Sequence, residues 1–164
     1  MADSIRKKIM AAIAARLARI RTTNGYNTNC GQKVITGRKA FHPSELPLCG
    51  VSLGTETRSG GQYRYYEIAL PVTIEAYQAI GSSPANQIED MLADLIECVL
   101  GNEGVEPTAN PTSVLTGGYG SRVEYDSGGA NEWPDANDEV VGCGIGVTVT
   151  YSVEKGNPYG QGTT

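Results

Sequence analysis

This chain of 164 residues has only one histidine, one tryptophan and one phenylalanine. A Ser-His-Asp or Cys-His catalytic arrangement would have to use His42. That residue lies directly before Pro43 and has no nucleophile motif around it. The sequence offers no recognisable catalytic set, and we expect a protein that is not an enzyme.

Metal and cofactor motifs are missing as well. The cysteines are scattered, with no C-x-x-C and no neighbouring histidine, which is typical neither of a zinc ribbon nor of a disulfide scaffold. Residues 124–139 hold six carboxylates, but they lack the ligand spacing of a calcium loop, so a solvated acidic loop is favoured. Residues 117–120 are glycine-rich, but no strand-to-helix context supports phosphate binding. We expect no metal, no cofactor and four reduced thiols: Cys30, Cys49, Cys98 and Cys143.

Long apolar runs and a signal peptide are not found either. No stretch reaches membrane-spanning length, and Met1 leads within a few residues into a charged helix. The net charge of −5 argues against a general nucleic-acid binder, because such domains usually have a basic excess. We expect a protein made in a cytoplasm, with no membrane partner.

What the chain does have is a sharp division of charge. Residues 1–39 carry nine basic residues against one acid, a net +8, and residues 40–164 carry four basic residues against seventeen acids, a net −13. Such a division suits surfaces that meet a second copy or a charged partner head to tail. The alternative is a solvated basic helix beside acidic loops.

Two amphipathic helices are predicted. The first begins at a cap on Asp3 or Ser4, ends at Asn24-Gly25, and has basic residues outside its apolar stripe. The stripe follows steps of four and three: Ile5, Ile9, Ile13, Leu17 and Ile20. The second helix opens at Ser82-Ser83-Pro84 and closes at Gly101. It has an apolar side and an acidic side formed by Glu89, Asp90, Asp94 and Glu97.

Alternating and β-rich segments predict the strands, which are 32–38, 48–56, 63–77 and 140–153, with a further candidate at 121–125. Even-numbered residues from Tyr66 to Ile74 should form a core face, and Pro71 favours an edge position or a bulge. The order predicts an α+β fold: a mostly antiparallel four- to five-stranded sheet with two amphipathic helices on one face.

A single domain over residues 1–155 is predicted, with a long loop at 102–139 and a flexible tail at 156–164. The loop contains Trp133, the only tryptophan. A mobile aromatic residue between acids is typical of an anchor that orders on binding. The alternative is that Trp133 folds back onto the sheet.

The run from Ile5 to Val51, followed by a tyrosine-rich hairpin and an acidic helix, resembles tail terminator proteins of tailed bacteriophages. The likeness covers roughly residues 4–100 in the order of elements, and these proteins are similar to the lambda-type terminator and its head–tail connector relatives. The motifs that carry it are Thr23-Asn24-Gly25-Tyr26, Val34-Ile35-Thr36-Gly37-Arg38, Ser44-Glu45-Leu46-Pro47 and Leu70-Pro71-Val72.

This resemblance implies a small α/β domain that forms a homo-hexameric ring in the virion. The ring would cap the head-proximal end of the tail tube, end tube polymerisation and dock the head, after assembly in the host cytoplasm. The implied partners are the tail tube protein and a head–tail connector or head-completion protein, with genome DNA passing through the lumen without sequence-specific binding.

Three alternatives remain open at this point. A neck or head-completion protein of the same virion would share the fold, and the genes that flank this one would separate the two. A nucleic-acid-binding module would use the basic helix, which lacks interleaved aromatic residues. A small hydrolase would need a partner for His42. For the ring, the interface residues that we predict are Arg6, Lys7, Lys8, Arg16, Arg19 and Trp133.

Overall fold

The computed structural model describes residues 2–37, 40–101, 110–132 and 139–161. In this part of the chain the helices are α1 (Ile5–Leu17), α2 (Pro84–Leu100) and α3 (Pro111–Thr116). The strands are β1 (Val34–Thr36), β2 (Leu48–Leu53), β3 (Thr57–Gly60), β4 (Tyr65–Ala79), β5 (Gly120–Glu132), β6 (Val140–Glu154) and β7 (Asn157–Gln161).

Helix α1 forms where the apolar spacing predicts it. The Ser4 side chain caps it by accepting a hydrogen bond from the backbone N–H of Lys7 at 3.3 Å. Every residue of the predicted stripe is buried. The predicted end of the helix at Asn24-Gly25 is wrong, because the α-helix ends at Leu17; the chain turns at Gly25 with a φ of 92°, in the left-handed region that glycine tolerates best. Ile20 therefore belongs to the core without belonging to the helix.

The strands form one sheet of order β1-β2-β4-β6-β5, with β3 also paired to β4 and β7 to β6. Among the strand pairs of the described residues, β1–β2 alone is parallel. The central pair β4–β6 runs from Tyr65 opposite Glu154 to Ala79 opposite Val140. Ile68, Leu70, Val72 and Ile74 are buried on one face of β4, which confirms the predicted core face.

Strands β2 and β3 are two parts of one interrupted strand beside β4. Leu53 lies opposite Val72, and Thr57 lies opposite Ala69. The chain advances four residues from Leu53 to Thr57, whereas β4 advances three between Val72 and Ala69. Residues 54–56 therefore contain one extra residue. This is the arrangement of a β-bulge.

The bulge explains how a proline fits into a central strand. The carbonyl of Pro71 accepts a hydrogen bond from the backbone N–H of Gly54 at 2.7 Å. A residue's N–H and C=O point to the same side of a strand, so the missing N–H of Pro71 faces the interruption between β2 and β3. The predicted bulge is confirmed, whereas the alternative of an edge strand is wrong.

One hydrophobic core joins the helices to the sheet. Buried residues of α1 and α2, with Leu115 of α3, cluster with the inward residues of β2, β4 and β6. The fold is therefore α+β with a mostly antiparallel sheet, as expected. The sheet has seven strands where four to five were predicted, and α3 is an additional helix.

Two segments predicted to be irregular contain regular structure. The long loop expected at 102–139 includes α3 and the thirteen-residue strand β5, of which the candidate at 121–125 is only a part. The tail expected to be flexible from residue 156 forms β7, which pairs with β6 through Val153 and Glu154. Both are hard to predict because their sequences are rich in glycine and polar residues and have little alternation.

Candidate assembly interface

Arg6, the first predicted interface residue, is engaged within the chain. Its guanidinium lies 3.2 Å from a carboxylate oxygen of Glu56 and donates to the carbonyl of Gly54 at 2.8 Å. Glu56 also accepts a hydrogen bond from the Tyr151 hydroxyl at 2.7 Å. Arg6 therefore holds the β2–β3 bulge against the start of α1, and its charge is partly neutralised.

Lys7 and Lys8 remain available at the surface. Lys7 is exposed and pairs with Asp3 at 2.7 Å, one helical turn away. Lys8 is partly exposed, and its ammonium lies 5.0 Å from the ring centre of Tyr119. An exposed pair of this kind contributes only about 0–1 kcal/mol, so a stronger partner could replace either contact. Arg19 is also partly exposed.

Arg16 does not belong to this surface. It is buried, and its Nε donates to the backbone carbonyl of Cys98 on α2 at 3.0 Å. The assignment of Arg16 to an intermolecular interface is therefore corrected: its position on the inward side of α1 directs it to α2 of the same chain.

Helix α2 presents the opposite charge. Glu89, Asp90 and Glu97 are exposed, and none of them forms an ion pair with another described residue. Asp94, which the sequence placed on the same acidic side, is instead 3% exposed.

The buried carboxylate of Asp94 accepts four hydrogen bonds. One oxygen accepts from the backbone N–H and the side-chain amide of Asn27, at 2.9 and 3.0 Å. The other accepts from the backbone N–H and hydroxyl of Thr28, at 2.8 and 2.7 Å. These bonds compensate for the loss of water around the charge. Asp94 anchors the segment after α1 to α2 and has no role on the acidic surface.

The remaining predicted interface residue, Trp133, lies outside the described residues, as do Arg38 and Lys39. Its role as an anchor stays a prediction.

A cavity of about 340 Å³ lies beside the Arg6–Glu56 pair and is also lined by Ser4, Tyr66 and Tyr151. Burial and the hydrogen bond to Glu56 raise the pKa of Tyr151 well above its usual value. Tyr151 thus donates to the Glu56 carboxylate, which Arg6 also binds. The contacts among these three side chains explain their positions beside the cavity without a ligand.

His42 takes part in a local turn. Its Nδ1 lies 2.8 Å from the Ser44 hydroxyl, and its backbone N–H donates to the Glu45 carboxylate at 2.7 Å. The same carboxylate pairs with Lys33 at 2.6 Å. These contacts form a capping box at residues 42–45.

The four cysteines, distant in sequence, are all buried thiols. Cys49 and Cys143 lie on either side of Ala76 in the sheet register. A hydrogen bond from Cys49 lowers the pKa of Cys30, whereas burial raises the pKa of Cys143 to about 12. The proximity of Cys49 and Cys143 comes from the strand order, so no spacing motif could have indicated it.

Within the described ranges, no three His, Cys, Asp or Glu side chains are grouped so that they could hold a metal ion. No helix in that part of the chain combines the length and apolar character needed to cross a membrane. No family model matches the sequence, and no curated protein matches it either.

Proposed function

We propose that the chain is a structural protein of a tailed bacteriophage virion that forms a ring at the head-proximal end of the tail tube. The ring ends tube polymerisation and gives the head a docking surface. The proposal is supported by the resemblance over residues 4–100 and by the placement of charge on α1 and α2.

The observation that supports the proposal most directly is that α1 and α2 carry opposite charges. Helix α1 contains four basic residues and no acid, and α2 contains four acids and no basic residue. Each helix buries one charge, Arg16 or Asp94, for internal contacts. The helices pack over different strands, α1 over β1, β2 and β7 and α2 mainly over β6 and β4.

A closed ring requires one patch of each subunit to meet a different patch of its neighbour. We infer that the basic surface of α1, represented by Lys7 and Lys8, meets the acidic surface of α2, represented by Glu89 and Asp90. Each exposed pair contributes about 0–1 kcal/mol. Several pairs together give an association that weakens with salt, since exposed charges are screened over about 8–10 Å at physiological ionic strength.

A charge-swap experiment tests this arrangement. One variant carries Lys7→Glu and Lys8→Glu, a second carries Glu89→Lys and Asp90→Lys, and a third carries all four changes. Light scattering at low salt should show weaker assembly for each of the first two and recovery for the third, because the third restores opposite charges across the interface.

The control matched to the first variant is Arg64→Glu with Lys155→Glu, which makes the same change of net charge at another surface and should assemble normally. A particle no larger than a dimer for the parent chain, alone and with tube protein, would contradict the ring. Unchanged assembly of both two-site variants would contradict the assignment of its surfaces.

Electron microscopy with the tail tube protein tests the position in the virion. A terminator should cap tubes and limit their length, whereas a neck protein should bind the connector and leave the tubes uncapped.

On capping, the fluorescence of Trp133 should shift to the blue if that residue is an anchor, and Trp133→Ala should weaken capping without unfolding the chain.

A further inference from the structure

The few basic residues of the acidic part of the chain are gathered at one end of the sheet. Residues 40–164 contain four basic residues, and three of them, Arg58, Arg64 and Lys155, lie where β3 turns into β4 and β6 turns into β7. The backbone N–H of Lys155 donates to the carbonyl of Arg64 at 3.0 Å, so the two turns are in direct contact.

Tyrosine rings and backbone carbonyls position two of these cations. The Arg58 guanidinium lies 4.6 Å from the ring centre of Tyr66, and its Nε donates to the carbonyl of Gly60 at 3.0 Å. The Lys155 ammonium lies 5.7 Å from the ring centre of Tyr63. Cation–π contacts of this kind orient a cation while leaving its charge in place.

The three cations are exposed, and none forms an ion pair with a carboxylate in the described part of the chain. Two carboxylates lie nearby: that of Glu154 accepts from the side-chain amide of Asn157 at 2.9 Å, and that of Glu67 lies beside Gly60. In a segment with seventeen acids, cations without carboxylate partners leave a positive site available to an external anion.

Tyr63 supplies a flat apolar surface at the same place. It is 87% exposed, more than any other large hydrophobic residue in the described ranges. An exposed ring on a hairpin next to cations is the combination with which proteins bind single-stranded nucleic acid, stacking a base and contacting phosphates.

We propose that Arg58, Tyr63, Arg64 and Lys155 form a binding site for single-stranded nucleic acid. The three cations contact phosphate groups, and a base stacks on Tyr63 without sequence preference. The site is a local concentration of positive charge in a chain whose overall charge is −5. The proposal is independent of ring formation.

The test measures the fluorescence anisotropy of a labelled oligothymidine strand with the full chain at low salt. The triple variant Arg58→Ala, Arg64→Ala, Lys155→Ala should bind at least about tenfold more weakly, and the slope of log affinity against log salt should fall by about two units. Tyr63→Ala should weaken binding about fivefold or more, and Tyr63→Phe should retain it because the ring still stacks.

The matched control removes three cations from another surface, with Lys7→Ala, Lys8→Ala and Arg21→Ala, and should bind like the parent chain. Circular dichroism should show the same fold for all variants. No binding by the parent chain, or an equal loss in the control, would overturn the proposal. Equal competition by polyglutamate, with no effect of Tyr63→Ala, would assign the site to an acidic protein instead.

Discussion

Arg16 and Cys98 exchange two hydrogen bonds across the contact between α1 and α2. The Arg16 Nε donates to the Cys98 carbonyl at 3.0 Å, and the Cys98 thiol donates to the Arg16 carbonyl at 3.3 Å. Both residues are buried. This reciprocal pair fixes the basic helix against the acidic one, so Arg16 stabilises the fold that presents the two charged surfaces.

Arg16→Ala should destabilise the chain by about 1–3 kcal/mol, because the buried Cys98 carbonyl loses its charged donor. Lys7→Ala, at an exposed position of the same helix, should change the free energy of unfolding by no more than about 0.5 kcal/mol. Urea denaturation measures both. Equal stabilities of the two variants would show that the Arg16 contact contributes nothing.

Asp94→Asn should cost about 2 kcal/mol or more, because an amide nitrogen would face donors that now meet a carboxylate oxygen. At about 2–4 °C per kcal/mol for a chain of this size, the melting temperature should fall by roughly 4–8 °C. Asp90→Asn, on the exposed side of the same helix, is the control and should melt like the parent chain.

Gly31→Ala should destabilise the fold by about 1–3 kcal/mol through crowding. A Cβ at Gly31 would lie 2.8 Å from both the backbone nitrogen and the oxygen of Ile20, and the Gly31 N–H already donates to that oxygen at 2.9 Å. At Gly129 a Cβ would meet no atom within 4 Å. Gly129→Ala should therefore be neutral, and thermal unfolding of the two variants would be compared directly.

Tyr151 should make stability sensitive to alkaline pH. Its pKa is raised in the folded chain by burial and by the hydrogen bond to Glu56. The stabilisation is therefore complete below the unfolded pKa of about 10 and is lost as pH rises above it. Tyr151→Phe should show a smaller loss of stability between pH 9 and about 11 than the parent chain. Identical pH profiles would mean that Tyr151 does not titrate differently in the two states.

Periodicity predicted the elements that build the core. The spacing of Ile5, Ile9 and Ile13 identified α1, and the alternation around Leu70 identified the core face of β4, because each of these segments buries one side only. The division of charge likewise predicted that α1 would be the basic helix, because the charge of a segment follows from its composition alone.

Tertiary contacts decided what the sequence could not predict. A pattern assigns charged residues to the surface, so it misplaced Arg16 and Asp94, whose burial depends on partners far along the chain. Strand β5 has irregular pairing at several points, which disrupts the alternation that would have identified it. The sequence of β7 has little alternation, so the strand is identified only by its pairing with β6.

The extra residue within 54–56 changes whether odd- or even-numbered residues face the helices. Before it, odd-numbered residues such as Val51 point to the helices; after it, even-numbered Arg58 lies opposite inward-facing Ile68. With one residue fewer there, three steps would match three, and the ladder could continue without a bulge while Thr57 stays opposite Ala69 and Arg58 opposite Ile68. In this stretch, the length of the chain determines which side chains reach which surface as firmly as their identity does.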